Sequence, residues 1–280
     1  MDAWRCRDHV LPLGERTLIM GIVNLTPDSF SGDGLAGGPA DAVARALGMV
    51  ADGADLLDVG GESTRPGAAP VSEDEEASRV VPVIERLAAD AGVPISVDTS
   101  KASVARAALD AGASVVNDVR AAADPQMLGV IAEARAGAVL MHMRGDPRTM
   151  QDDPTYDDVV AEVHAFLAER IEAARAAGVD RRHLCADPGI GFGKDLGHNL
   201  QLLQAIGSFR DLDVALLVGA SRKRFVGALT GVDDPADRLE GSIAAAVWCA
   251  GQGVDVMRVH DVGATARALR VADAIARRSS

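Results

Sequence analysis

Apolar residues in this chain fall into two alternating kinds of run. Predominantly apolar stretches lie at residues 18–23, 56–59, 94–97, 114–116, 138–141, 184–186, 214–218 and 254–259. Such runs, without polar alternation, are what strands buried on both faces of a parallel sheet require. Between them, apolar residues recur at three- and four-residue spacing and predict helices. These helices cover about 40–51, a stretch opening at 72, then 100–112, 124–135, 157–177, a stretch ending near 206, 235–250 and 264–277. Ser72, followed by Glu73, Asp74 and Glu75, reads as an N-cap with an acidic first turn, and Ser100 as a candidate cap. Gly53 and Gly112 mark helix ends. Eight strand–helix cycles with no break in composition predict an α/β fold, a single-domain (β/α)8 TIM barrel over 18–280. Residues 1–17, with a turn at Pro12-Leu13-Gly14, read as a short N-terminal cap or hairpin. Two doubly wound sheets are the alternative and would need a boundary that the chain does not offer.

In a barrel the loops after the strands share one face, where chemistry is done. Asn24, Arg65, Asp98, Asn117, His142, Asp187, Lys223, Arg258 and His260 all fall at or just beyond strand ends. Asp98, Asn117 and Asp187 would converge in the mouth, offering acceptors and donors suited to the amidine-like edge of a pterin or purine ring. Arg65, Lys223, Arg258 and His260 supply cations, and phosphate sites in barrels often use the seventh and eighth loops. Asn24 adds an oxygen that Mg²⁺ accepts when phosphates complete its shell. Arg222 and Arg224 read as solvated, and His142 fits a core histidine as well as a site residue. The strand at 184–186 ends at Asp187-Pro188, and Gly189, Gly191 and Gly193 then let the backbone approach a ligand. This is not a phosphate loop, because neither Ser nor Thr follows Lys194. Among five Phe, Phe30, Phe192 and Phe225 lie in or beside the loops. Phe30 and Phe192 are candidates to wall a flat ring, whereas Phe225 reads as the anchor of a short helix. Met141 suits soft packing beneath such a ring.

Composition narrows the partners. The net charge of −13 argues against nucleic acid or an anionic membrane, though not against an anionic small substrate met by a local cation cluster. Cys6, Cys185 and Cys249 are odd in number and widely spaced, as reduced thiols in a cytoplasmic protein would be. No apolar run reaches the roughly 20 residues of a membrane helix, and the first residues carry no signal-peptide pattern. The apolar content of the helix at 235–250, from Ile243 to Trp248, exceeds what one-sided packing needs and, together with the family resemblance given below, suggests a homodimer.

Several motifs recur in a recognisable order: Asn24-Leu-Thr-Pro-Asp-Ser-Phe, Gly61-Glu-Ser-Thr-Arg-Pro-Gly, Ser96-Val-Asp-Thr, Asn117-Asp118 and Met141-His-Met. They continue with Asp187-Pro-Gly-Ile-Gly-Phe-Gly-Lys, Gly219-Ala-Ser-Arg-Lys-Arg-Phe and Arg258-Val-His-Asp. Over residues 19–262 the chain resembles the dihydropteroate synthases. The resemblance implies a transferase that condenses 6-hydroxymethyl-7,8-dihydropterin pyrophosphate with p-aminobenzoate. It implies that Asp98, Asn117, Asp187 and Lys223 bind the pterin, with Met141 beside it. Asn24, Arg258 and His260 would hold pyrophosphate and Mg²⁺. Phe30, Thr64, Arg65, Pro66, Phe192 and Ser221 would form the p-aminobenzoate site, and Asp98, Asp187, Lys223, Arg258 and His260 would carry catalysis. The family commonly reads Ser-Phe-Ser-Asp-Gly-Gly where this chain has Gly32 and then Asp33, so the acidic residue is displaced by one position. Other readings are a pterin-binding methyltransferase domain, a Schiff-base aldolase using Lys223, or an inactive pterin-binding paralogue. The first lacks a reason for the Thr64-Arg65-Pro66 loop and the Arg258/His260 pair.

Overall fold

A computed structural model describes residues 1–26, 38–63, 67–146, 149–150, 152 and 154–276. Two short strands, β1 (Ala3–Cys6) and β2 (His9–Pro12), pair antiparallel. Eight parallel strands then close into a barrel. They are β3 (Leu18–Asn24), β4 (Leu56–Gly60), β5 (Ile95–Asp98), β6 (Val115–Asp118), β7 (Gly137–Met141), β8 (Leu184–Asp187), β9 (Ala215–Val218) and β10 (Val256–Val259). The helices among the described residues begin with α1 (Pro39–Ala51), α2 (Glu73–Asp90), α3 (Ala102–Asp110) and α4 (Met127–Ala134). They continue with α5 (Val159–Ala176), α6 (Leu196–Gln204), α7 (Arg224–Thr230), α8 (Leu239–Gly251) and α9 (Val262–Ala276). The TIM barrel expected from the apolar runs is therefore the fold, and the doubly wound alternative is set aside.

Two-residue alternation sorts the strand residues between two apolar cores. Leu18, Met20, Leu56, Val115, Val139, Cys185, Ala215, Leu217 and Val256 pack inside the barrel. Ile19, Val23, Leu57, Val59, Val97, Val116, Leu140, Leu216 and Met257 face the helices. Trp4, Cys6, Leu11 and Leu13 join the inner cluster, so the β1–β2 hairpin stops the end of the barrel opposite the mouth. Trp4 Nε1 donates to the His183 carbonyl at 2.9 Å, just before β8. All three cysteines are buried and free of disulfides, with Cys6 and Cys185 in the inner cluster.

Several helix boundaries depart from the apolar spacing. Ser72 does cap α2, accepting the Glu75 amide at 3.2 Å. Ser100 does not cap α3: Lys101 occupies the N-cap position, and its own amide donates to Thr99 Oγ1 at 3.2 Å. The single helix expected at 235–250 is a 3-10 turn, Pro235–Asp237, followed by α8. Arg238 separates them, because its guanidinium is drawn to the carbonyls of Arg222, Val232 and Asp233. The helix α7 is marked in the sequence only by its anchor Phe225, which is buried.

Candidate active site

Strand register gathers the polar residues at one level. Asn24 lies opposite Gly60, Gly60 opposite Asp98, Asp98 opposite Asn117, and Met141 opposite Asp187. On each strand the polar residue continues the inward parity of the apolar core below it. Asp58 is two residues above Leu56, Asn117 two above Val115, Asp187 two above Cys185, and Arg258 two above Val256. The inner face thus changes from apolar to charged within one pleat.

One hydrogen-bonded network spans this level. Arg258 Nε donates to Asp58 Oδ2 at 2.6 Å, and Nη2 donates to Asp98 Oδ2 at 2.8 Å. Asn117 Nδ2 donates to Asp58 Oδ2 at 2.9 Å. Asp58 is fully buried and its Oδ1 has no hydrogen-bond partner. Sequence reasoning missed this residue, although an Asp within an apolar, doubly buried strand is itself a signal. Arg258, expected beside phosphate, is here held by the ring of acids. Burial opposes its charge, but Asp58 and Asp98 hold its pKa above the ordinary value. Burial pushes Asp98 up to about 7, with Arg258 opposing that rise and Asp58 adding to it.

Asp187 and Lys223 form the other side. Asp187 Oδ1 accepts the Gly189 amide at 2.8 Å. Burial raises the Asp187 pKa against the pull of Lys223 and of that amide. Lys223 is pushed down to about 8 by burial, with Asp187 opposing the fall. Its Nζ donates to the Ile190 carbonyl and lies 4.6 Å from the centroid of the Phe192 ring. Gly219 lies between the two cations: a Cβ there would sit 3.8 Å from Arg258 Cβ and 3.9 Å from Lys223 Nζ. Met141 is buried at the end of β7, next to Asp187 across the sheet.

The loop after β8 is fixed from below by Lys194, which is buried. Its Nζ contacts His142 Nδ1 at 2.9 Å, and donates to the carbonyls of Gly189 at 3.0 Å and Phe192 at 2.9 Å. His142 is therefore part of the support beneath the loop; its ring also meets Phe166 edge-on at 4.9 Å. Burial, with Lys194 beside it, lowers the His142 pKa to about 3. Gly189 has φ +70°, and a Cβ there would lie 1.9 Å from the His142 carbonyl oxygen, so only glycine lets the two loops approach.

The seventh and eighth loops are clamped together. Ser221 Oγ and His260 Nδ1 are 3.0 Å apart. Arg222, expected to be solvated, instead makes a two-pronged ion pair with Asp261 at 3.0 and 2.7 Å. Its φ of +59° turns the side chain toward the eighth loop, which apolar spacing cannot show. The candidates Phe30, Thr64, Arg65 and Pro66, and the displaced Asp33, lie outside the described residues.

An inner ring of carboxylates and a carboxamide, with two cations beside it, can hold a flat heterocycle by its edge and an anion over the mouth. That is the class of pterin-binding barrel enzymes, and the family model described as pterin binding enzyme matches residues 20–260. Dihydropteroate synthase of Escherichia coli (strain K12) is 49% identical over 256 residues, 91% of this chain and 90% of that protein. The structure of Xanthomonas albilineans dihydropteroate synthase with 4-aminobenzoic acid superposes with a TM-score of 0.92 at 49% identity, covering 100% of this chain and 99% of that one. The same enzyme in complex with 7,8-dihydropteroate gives 0.87 at 45%, covering 100% of both chains. The chain belongs to the dihydropteroate synthase family, and is thus a transferase.

Proposed function

We propose that this chain condenses 6-hydroxymethyl-7,8-dihydropterin pyrophosphate with p-aminobenzoate, forming 7,8-dihydropteroate and pyrophosphate by a dissociative route. The observation that carries the proposal is the ring of Asp58, Asp98, Asn117 and Arg258, its Asp58 and Asn117 buried, facing Asp187 and Lys223. Relatives that hold 4-aminobenzoic acid and 7,8-dihydropteroate support the same pair of ligands. The orphaned Oδ1 of Asp58 is an acceptor awaiting a donor. The amino group and ring N–H edge of a pterin supply donors for Asp58, Asp98 and Asp187, while Lys223 and Asn117 donate to its acceptors. Met141, buried at the end of β7, would pack beside the ring.

The carboxylates are fixed before any charge develops, so they stabilise positive charge on the pterin's exocyclic carbon as its bond to pyrophosphate breaks. Arg258 and His260 face the leaving anion. In the resting network Arg258 is satisfied by Asp58 and Asp98, so pyrophosphate competes for the guanidinium as it binds. The arylamine, placed by Phe30, Thr64, Arg65, Pro66, Phe192 and Ser221, then attacks the carbon, and no protein nucleophile is required.

The residues present also fit Mg²⁺. Asn24 offers one neutral oxygen close to Asp98, each lying within 4 Å of a Cβ placed on Gly60. No three His, Cys, Asp or Glu among the described residues form a cage, and Mg²⁺ characteristically takes few protein oxygens and completes its shell with substrate phosphates. When bound there it would draw negative charge from the departing pyrophosphate. We further propose a cytoplasmic homodimer, a reading supported by the three free, buried cysteines and by the exposed Trp248, Val271 and Ile275. Incubating the protein with dihydropterin pyrophosphate, Mg²⁺ and p-aminobenzoate tests the assigned reaction: dihydropteroate should accumulate with pyrophosphate in equal amounts. No product with active substrates would overturn it.

A further inference from the structure

Three charged residues on three elements meet beside the ring of acids without belonging to it. Glu62 follows β4, Glu76 lies in α2, and Lys101 precedes α3. Lys101 Nζ donates to Glu62 Oε2 at 2.5 Å and also to Glu76 Oε2. Glu76 is fully buried, and its Oε1 has no hydrogen-bond partner. The second carboxylate oxygen of Glu62 accepts the Val71 amide at 3.1 Å. That bond joins the two ends of residues 63–70 into a neck. The neck rests directly on α2: Arg79 donates to the Gly61 carbonyl at 2.7 Å, and a Cβ on Gly61 would lie 2.8 Å from Val80 Cγ1. Toward the pterin side, the Lys101 amide donates to Thr99 Oγ1, one residue beyond Asp98.

Glu62 and Glu76 would repel each other at this separation, so the cation between them decides where the neck sits. Burial disfavours charge on Lys101, but hydrogen bonds to Glu62 and Glu76 hold its pKa above the ordinary value, so it is a cation throughout the working pH range. We propose that Lys101 is a positioning residue for the amine substrate. Through Glu62 it fixes the neck of the segment carrying Thr64, Arg65 and Pro66 relative to the strand end carrying Asp98. It touches neither substrate. The inference rests on the assignment of p-aminobenzoate to that segment.

Lys101→Met keeps the stem and removes the charge, and Lys101→Arg keeps the charge with more donors. Because Lys101→Met strands buried Glu76, the pair Lys101→Met/Glu76→Gln removes both charges of that pair and guards against loss of the fold. Two readouts are needed: the Kd for dihydropterin pyrophosphate with Mg²⁺ by calorimetry, and the KM for p-aminobenzoate in turnover. The KM should rise at least about tenfold in both Met variants while the pterin Kd stays within about threefold, and Lys101→Arg should recover most of the loss. A folded Met variant with unchanged KM, or equal losses for both substrates, would overturn this inference alone. Wild-type protein that makes no dihydropteroate would overturn the assigned reaction and the inference with it.

Discussion

Asp187, which is buried, and Lys223, which is partly buried, carry opposite charges, so each determines how the other behaves. A charge-assisted hydrogen bond contributes about 1.5–3 kcal/mol. Asp187→Asn keeps the shape and removes the charge, and should weaken binding of the pterin substrate about 10- to 100-fold by calorimetry. Lys223 adds a pH dependence whose sign follows from its lowered pKa of about 8. Below that value it is a cation that can donate to the ring; above it, the cation disappears. Pterin affinity should therefore fall as pH rises from 7 to 9, and Lys223→Gln should flatten that alkaline limb. At this scale the sequence was legible wherever chemistry coincides with a strand end. Asp98, Asn117 and Asp187 could be placed together because strand parity alone puts them in the mouth. Asp58 escaped because it lies inside an apolar run, and Arg222 because a left-handed backbone turned it onto Asp261. Neither depends on local periodicity: Asp58 is defined by Asn117 and Arg258, which lie 59 and 200 residues away.

Elements were harder to delimit than to count. The eight strands follow from predominantly apolar runs, whereas the helices around the seventh loop are short and set by long-range bonds. Arg238 ends the 3-10 turn before α8 by bonding to three carbonyls, and no propensity records that. The loop after β8 shows the reverse case, in which sequence and structure agree on glycine. Gly189→Ala combines a left-handed residue, costing about 1–2 kcal/mol, with a clash against the His142 carbonyl. Overpacking commonly adds about 1–3 kcal/mol. The variant should lower Tm and, by displacing the amide that Asp187 accepts, weaken pterin binding more than Ala substituted at exposed Gly178.

Across the whole molecule, one end of the barrel is closed by the hairpin's Trp4, Cys6, Leu11 and Leu13, and chemistry is confined to the other. The last two helices pack on one another and leave Trp248, Val271 and Ile275 49%, 61% and 75% exposed. That exposed apolar surface is the ground for the proposed homodimer through those helices. Sedimentation at micromolar concentration should give about twice the 28.9 kDa chain mass, and a monomer would count against it. The net charge of −13 would repel an anionic substrate at long range. Screening confines that field to about 8 Å, so an anion in the mouth meets the local charges, where Arg258 and Lys223 stand among Asp58, Asp98 and Asp187.

In the route proposed above, pyrophosphate leaves the pterin before the amine forms its bond. Mixing the protein with dihydropterin pyrophosphate and Mg²⁺, without p-aminobenzoate, isolates that step. Pyrophosphate should appear slowly but above a control without protein, and Asp187→Asn should suppress it. Release that depends wholly on added p-aminobenzoate would contradict the dissociative account.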